Sequence, residues 1–440
     1  MKYDLIVAGG GPSGLMAAAT AAEKGLKVVF LKKKKDLTTV NRLCGQFTNI
    51  SMINVGGKVK YGYVGQLNLE VGTRGTKVHF PDEGFSIDYE GALRPYMNYV
   101  HISPSGHFVY RERNRFFGFF WDKESLLRGL MERCIRSGVE IRNECLVTGA
   151  ENTAAGVVVT YRSPVGQEKI EARRLIASDG KDSKIVDSLG LNSRRQLFSN
   201  RVTKAVGYVL EGVQTELRLN SWVCFTVPSL SMGNFWMFMV SGDRNVLGVT
   251  GFQPDPERSV KALMQWPTFA PWFSKAKIVK KLATSGLQSY TPLMEPSCGN
   301  VLAVGDSAAM VEVTNPGAVV CGYRGALATI KEMEGKSGYA EYTAWWKKAF
   351  DTMDPDYLKA AGRFYAINAV CDNDDVDYLY RLVGNEVGVP AVLAVRKLDV
   401  VSAERPKLYE KIKRTGIDRP LDQVTIDLGK VMSKTGEVTT

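Results

Sequence analysis

Residues 1–31 read MKYDLIVAGGGPSGLMAAATAAEKGLKVVFL, and the fold is decided in this stretch. Tyr3 to Ala8 is a short apolar β run, Gly14 to Lys24 carries small residues suited to a closely packed helix, and Leu26 to Leu31 is a second β run. Strand, helix and strand in that order make a βαβ unit. Between the first strand and the helix lies Gly9-Gly10-Gly11-Pro12-Ser13-Gly14, a GxGxxG. Gly9 permits a tight turn, Gly11 lets the backbone approach a pyrophosphate with no Cβ in the way, and Gly14 lets helix and strand pack closely. The helix N-terminus at Pro12 and Ser13 turns unpaired N–H groups and a positive dipole end toward the phosphates. A dinucleotide is expected, with FAD and NAD(P) both open at this point.

The end of the second strand departs from the common pattern. A carboxylate normally stands there to bind the adenosine ribose, whereas this chain has Lys32. A basic residue suits the 2′-phosphate of NADPH; the alternative is that Lys32 points to solvent and the ribose is held another way.

A chain of 440 residues is too long for one ordinary core, so two or three units sharing a cofactor are expected. No stretch approaches the roughly 20 apolar residues needed to span a bilayer, and the first residues lack a signal-peptide layout, which predicts a cytoplasmic protein. Seven cysteines without a CxxC pair fit reduced thiols better than disulfides or a metal cluster. The net charge of +11 has local support in Lys32-Lys33-Lys34-Lys35, yet no nucleic-acid-binding signature accompanies it. A solvated basic face is one reading. Attraction toward a phosphorylated substrate, an anionic membrane surface or an acidic electron-donor protein is the other.

Further along, Gly56 to His107 is irregular and rich in Gly, Tyr and Phe, and Asp122 to Ser137 is an amphipathic helix ending at Gly138. Val139 to Ile141, Val157 to Tyr161, Leu175 to Ser178 and Val301 to Val304 read as strands. Arg201 to Phe252 alternates like an antiparallel sheet, Gly322 to Glu334 is a helix, the chain beyond Tyr339 is mostly helical, and Lys430 to Thr440 is a frayed tail.

Two later segments bring in a resemblance. Leu175-Ile176-Ala177-Ser178-Asp179-Gly180-Lys181-Asp182-Ser183 resembles the strand-plus-DG motif of the p-hydroxybenzoate hydroxylase-like flavoproteins. Asn300 to Ala309, with Gly305-Asp306, resembles their GD motif, and Pro316-Gly317 followed by Gly322 to Ala326 resembles the turn that opens a helix toward the flavin. Within that superfamily the chain is similar to the geranylgeranyl reductase branch. Arg42-Leu43-Cys44-Gly45 matches that branch's segment after the second strand, and Gly233 to Phe238 loosely matches its aromatic substrate strand.

The resemblance implies an α/β fold: a Rossmann-type FAD-binding domain from 1–60, 116–200 and 286–335, an inserted antiparallel substrate domain from 61–115 and 201–285, and a helical region from 336–440. FAD is expected to be held by Gly9, Gly11, Pro12, Ser13, Gly14, Lys32, Arg42, Cys44, Gly45, Val147, Asp179, Gly180, Gly305, Asp306, Pro316, Gly317 and Gly322, and non-covalently, because no residue in the glycine-rich, DG or GD segments is an obvious attachment nucleophile. Asp306 would accept hydrogen bonds from the ribitol, and N–H groups after Pro316 would stabilise charge at the flavin N1–O2 edge. Gly118, where relatives tend to carry an arginine, and Cys321, where a glycine is common, depart from the pattern.

Cys44 is the candidate proton donor, against the plain alternative of a small apolar filler. His79, His101 and His107 lack an evident catalytic neighbour and are read as surface or core. Phe116-Phe117, Phe119-Phe120-Trp121, Trp222 to Phe225 and Phe235 to Phe238 suggest an apolar pocket, although a plain core is the commoner meaning of such runs. Three functions remain open. One is an oxidoreductase acting on a carbon–carbon bond of an apolar or prenyl-like substrate with an anionic head group, drawing electrons from NAD(P)H or a reduced ferredoxin. The second is a monooxygenase using NAD(P)H and O₂. The third is a non-catalytic flavin-binding protein.

Overall fold

The computed structural model describes residues 2–40, 47–49, 63, 65–73, 75–197, 203–230, 233–241, 244–251, 254–287, 290–310, 312–353, 367 and 370–418. Arg42, Cys44, Gly45 and the segment Lys430 to Thr440 lie outside them.

Five short strands make a parallel sheet in the order Glu140–Arg142, Val28–Leu31, Tyr3–Ala8, the second half of Gly166–Ala177, and Val301–Ala303. Leu5, Ile6, Val7, Ala8 and Val29 to Leu31 are sealed from solvent, as expected of a sheet covered on both faces. Burying each such Leu, Ile or Val contributes roughly 1.5–3 kcal/mol. The helix Pro12–Glu23 lies between the helices Lys123–Arg136 and Thr314–Met333 and packs against both. The first half of Gly166–Ala177 runs on as an antiparallel meander with Leu146–Thr153 and Gly156–Ser163. Asp122 caps the helix Lys123–Arg136 by accepting from the Glu124 amide, and Ser137 closes it, as the amphipathic spacing predicts.

A second sheet has seven strands in the order Lys277–Leu287, Thr203–Glu211, Arg244–Gly251, Gly233–Ser241, Ser221–Phe225, Asn98–Ile102 and Phe108–Glu112. It is antiparallel as predicted, except that Ser221–Phe225 runs parallel to Asn98–Ile102. One face packs Val100, Val206, Val223, Phe235 and Leu247 against Val260, Leu263, Phe269 and Phe273, from or beside the helices Pro256–Met264 and Ala270–Phe273. Gly338–Ala349 buries Trp346, whose Nε1 donates to the Leu293 carbonyl at 2.9 Å. The helices Asn373–Val383, Pro390–Val395, Leu398–Glu404 and Pro406–Arg414 close the C-terminal part around a separate cluster that includes Leu379, Leu393, Val401 and Ile412.

Several expectations are corrected. The stretch read as irregular holds the strands Asn68–Gly72, Gly75–Phe80, Phe85–Tyr89, Leu93–Tyr96 and Asn98–Ile102. The first of these is exposed along its whole length, so no buried face imposes an alternating apolar pattern. The strand Leu146–Thr153 went unread because one side of it carries Thr148, Glu151 and Thr153. The helix predicted from Gly322 begins at Thr314, so Pro316 and Gly317 belong to its first turn and Cys321 and Gly322 to its interior.

Candidate cofactor and substrate site

The three motif glycines have different surroundings. Gly9 has φ +119°, and a Cβ on it would lie 2.1 Å from the Ser178 carbonyl oxygen. A Cβ on Gly14 would lie 2.0 Å from the Gly9 carbonyl oxygen. Both therefore make close packing possible. A Cβ on Gly11 would meet nothing within 4 Å, so open space lies beside the backbone there. Gly11 is also the N-cap of Pro12–Glu23, with no side-chain cap and no acidic residue in the first turn. A helix start with unpaired N–H groups, no carboxylate and clear space beside a glycine fits a pyrophosphate.

The DG and GD segments are bolted to this turn and to each other. Ser178 Oγ donates to the Ala8 carbonyl at 2.7 Å, and a Cβ on Gly305, which has φ +64°, would lie 2.3 Å from Ser13 Oγ. The Gly180 amide donates to Ser307 Oγ at 3.0 Å. Lys181 Nζ and Arg195 Nη2 both donate to the Ala309 carbonyl, at 3.0 and 2.8 Å. Burial lowers the Lys181 pKa to about 8, opposed by the nearby Asp306 carboxylate. Ser178, Lys181, Arg195 and Ser307 have no role in the sequence reading. Their one local signal was the position of Ser178 and Lys181 beside Asp179-Gly180.

The two motif carboxylates do different work. Asp179 accepts from the Ser183 hydroxyl at 2.6 Å and the Lys184 amide at 2.8 Å, closing its own loop, and burial raises its pKa. Asp306 Oδ1 accepts from the Val313 amide at 3.0 Å, directly before the helix Thr314–Met333, and Oδ2 has no hydrogen-bond partner among the described residues. One carboxylate can accept from the Val313 amide and still offer its second oxygen to a ligand hydroxyl.

Other candidates fall elsewhere. Lys32 does not point to solvent: it is 4% exposed, and Nζ donates to the Lys34 and Lys35 carbonyls at 3.0 and 2.6 Å. The cation is enclosed by the loop that follows it, which lowers its pKa by desolvation. Val147 is buried in the meander opposite Tyr161. Gly322 packs on the first helix, where a Cβ would lie 2.2 Å from the Ser13 carbonyl oxygen, and Gly317 faces the Phe350 ring. Gly118 is buried at the start of the strand Gly118–Trp121. His79 pairs with Glu70 at the surface at 2.9 Å. His101 is stacked on Tyr99 at 5.1 Å, and burial with the Arg111 charge lowers its pKa to about 3.

The aromatic stretches divide by alternation. Phe225 and Phe235 enter the core beneath the helices, and Phe119 and Trp121 enter that of the parallel sheet. Tyr96, Phe117 and Phe120 gather with Tyr99, Trp222 and Trp236 on the other face of the seven-stranded sheet. Tyr99 lies 5.7 Å from Phe117 and 5.8 Å from Trp222, with the Arg111 guanidinium 4.6 Å over its ring. Cys224 Sγ lies 3.7 Å from the Tyr99 hydroxyl, and burial pushes its thiol up to about 11. A separate polar groove of about 920 Å³, lined by Lys77, Arg128 and Arg133 among others, reaches Glu23, at the opposite end of the first helix from Gly11.

Residues 4–42 match the FAD binding domain family. The chain is 24% identical to digeranylgeranylglycerophospholipid reductase 2 of Methanopyrus kandleri, over 94% of this chain and 99% of that protein. It is 22% identical to the digeranylgeranylglycerophospholipid reductase of Methanococcus vannielii, over 79% and 83%. A geranylgeranyl bacteriochlorophyll reductase-like protein of Thermoplasma acidophilum superposes with a TM-score of 0.65 at 16% identity, over 94% of this chain and 99% of that one. A variant of the halogenase PltM in complex with FAD gives 0.58 at 11% identity, over 98% and 86%. These similarities support the α/β flavoprotein fold with a helical C-terminal region.

Proposed function

From the premise that this chain is a geranylgeranyl reductase-like FAD-dependent oxidoreductase, we propose that it reduces a carbon–carbon double bond in a prenyl chain. The similarity to reductases of prenylated lipids along nearly the whole chain carries this reading. Bound FAD would supply hydride transfer at N5.

In this reading residues 1–60, 116–200 and 286–335 hold FAD, 61–115 and 201–285 hold substrate, and 336–440 form the helical region. The amides after Gly11 would bind the pyrophosphate and Asp306 Oδ2 a ribitol hydroxyl, while the amides opening Thr314–Met333 would offset negative charge on the flavin ring. Tyr99, Phe117 and Trp222 would hold the apolar chain and exclude water, with Arg111 facing an anionic head group. Cys44 would hand a proton to the second carbon of the double bond. Electrons would come from NAD(P)H or a reduced ferredoxin. The six described cysteines are free thiols, which supports a cytoplasmic address.

The test is to photoreduce the purified yellow protein without oxygen and mix it with a prenyl lipid. The flavin should reoxidise while mass spectrometry finds the lipid heavier by two hydrogens; reoxidation only on adding O₂ would sink the proposal. Acid precipitation should release all the flavin, and flavin left on the denatured chain would exclude non-covalent binding. Cys44→Ser should retain FAD yet slow reoxidation by substrate by roughly 10²-fold or more. A wild-type rate at every pH would make Cys44 a packing residue.

A further inference from the structure

At one end of the seven-stranded sheet, positive charge and exposed apolar surface coincide. Strand register brings Lys277, Glu211, Asn245, Ser221, Asn98 and Glu112 to this end, across seven strands, or about 29 Å. The connections 113–117 and 212–220 meet there, because Arg218 Nη1 donates to Asn114 Oδ1 at 2.8 Å. Residues 212–220 also meet the approach to Lys277: the Gln214 amide donates to the Trp272 carbonyl at 2.8 Å, and a Cβ on Gly212 would lie 2.7 Å from the Lys275 carbonyl oxygen.

Phe116, Leu219, Ile278 and Val279 stand along this rim and are 41%, 49%, 48% and 43% exposed. Beside them are the exposed Arg113, Arg115, Arg218, Lys275 and Lys277, against Glu112, Glu211 and Glu216. Among the described residues, only Arg115 of these five cations has a carboxylate within ion-pair distance, Glu112 at 3.7 Å.

We propose that this rim docks on an anionic lipid bilayer, with Phe116 and Leu219 at the acyl boundary and the cations among the headgroups. Exposed apolar side chains interleaved with exposed cations, four of the five without a carboxylate partner among the described residues, match that interface chemically. A second copy of the chain would bring the same cations face to face and repel. The aromatic face begins directly behind the rim, since Phe117 follows Phe116, Trp222 follows Ser221, and Tyr99 stands opposite Glu112. A prenyl chain could pass from the bilayer to these rings without crossing water. This purpose rests on the reductase reading above, whereas docking itself is measured without substrate or turnover.

The test is co-sedimentation of the FAD-loaded full chain with phosphatidylcholine vesicles, with and without about one third phosphatidylglycerol. The protein should prefer the anionic vesicles and release as salt is raised. Combined Arg113→Glu, Arg115→Glu and Arg218→Glu should lower the partition by more than about tenfold. Phe116→Ser with Leu219→Ser should lower the binding that persists at high salt. Lys33→Glu with Lys35→Glu, a reversal of two cations at exposed positions elsewhere against three at the rim, should leave the partition near wild type. Equal partition into both vesicle types, or an equal loss in the Lys33/Lys35 control, would overturn the proposal. Light scattering that found a dimer, dispersed by Phe116→Ser with Leu219→Ser, would do so too. Failure of the reductase reading would appear instead in the reoxidation assay with detergent-dispersed lipid.

Discussion

The two large sheets bury their residues in opposite ways. The parallel sheet is covered on both faces, so its strands are continuous apolar runs such as Leu5 to Ala8, and its turns need glycines where backbones nearly touch. The seven-stranded sheet has one face beneath helices and the other lined with aromatic rings, and the five strands between its edges feed both. In the first sheet a run of sequence has one meaning; in the second, neighbouring residues have different ones.

The largest effect that could break this contrast lies in the glycine turn. Gly14→Val would drive side-chain atoms into the Gly9 carbonyl and should destabilise the chain by about 3 kcal/mol or more, visible as a lower melting temperature without flavin. Gly11→Ala should keep the flavin-free melting temperature, since nothing lies within 4 Å of its added Cβ, yet weaken FAD binding by more than about tenfold. If both variants melted alike, Gly11 would be another packing glycine and the pyrophosphate assignment would fall.

The two carboxylates sharpen the comparison within the parallel sheet. Asp306→Ala should weaken FAD binding more than Asp179→Ala, by the roughly 1.5–3 kcal/mol of a hydrogen bond to a charged group. Asp179 spends its oxygens on Ser183 and Lys184, while Asp306 keeps one without a described partner. Fluorescence titration of flavin gives both dissociation constants, and equal values would remove Asp306 from the ribitol site.

A smaller effect tests the aromatic face through pH. His101 has a native pKa near 3 because burial, then the Arg111 charge, disfavour its protonated form. The unfolded chain takes up a proton below the ordinary histidine value of about 6.5 while the native state stays neutral. Stability from this group is therefore whole above that pH and falls as the pH drops toward 3. Between pH 7 and 5 the loss should be about 2 kcal/mol. His101→Phe, which keeps a ring against Tyr99, should show a correspondingly shallower acid dependence in urea melts. Parallel curves for the two proteins would mean that His101 reaches solvent.

The βαβ start, the helix capped by Asp122 and the helical C-terminal part were legible because local rules specify them, whereas the DG and GD segments were read through a family resemblance. A tight turn, a cap or a buried strand each depends on a few adjacent residues. Lys32 was not legible. Whether a lysine at a strand end reaches water or folds back on the Lys34 and Lys35 carbonyls depends on how the next loop closes. Gly322 was assigned to a flavin-side turn, although its close neighbour is the carbonyl of Ser13, more than 300 positions away in the chain.

What the sequence by itself determined is the cofactor fold, because glycine spacing and apolar runs are local consequences of backbone sterics and of burial on both faces of a sheet. What only the tertiary structure decided is which side each aromatic residue serves, where Lys181 and Arg195 converge, and which cations share a rim with exposed apolar side chains. These depend on strand register and crossover connections, and contacts between residues far apart in the chain leave no periodic trace along it.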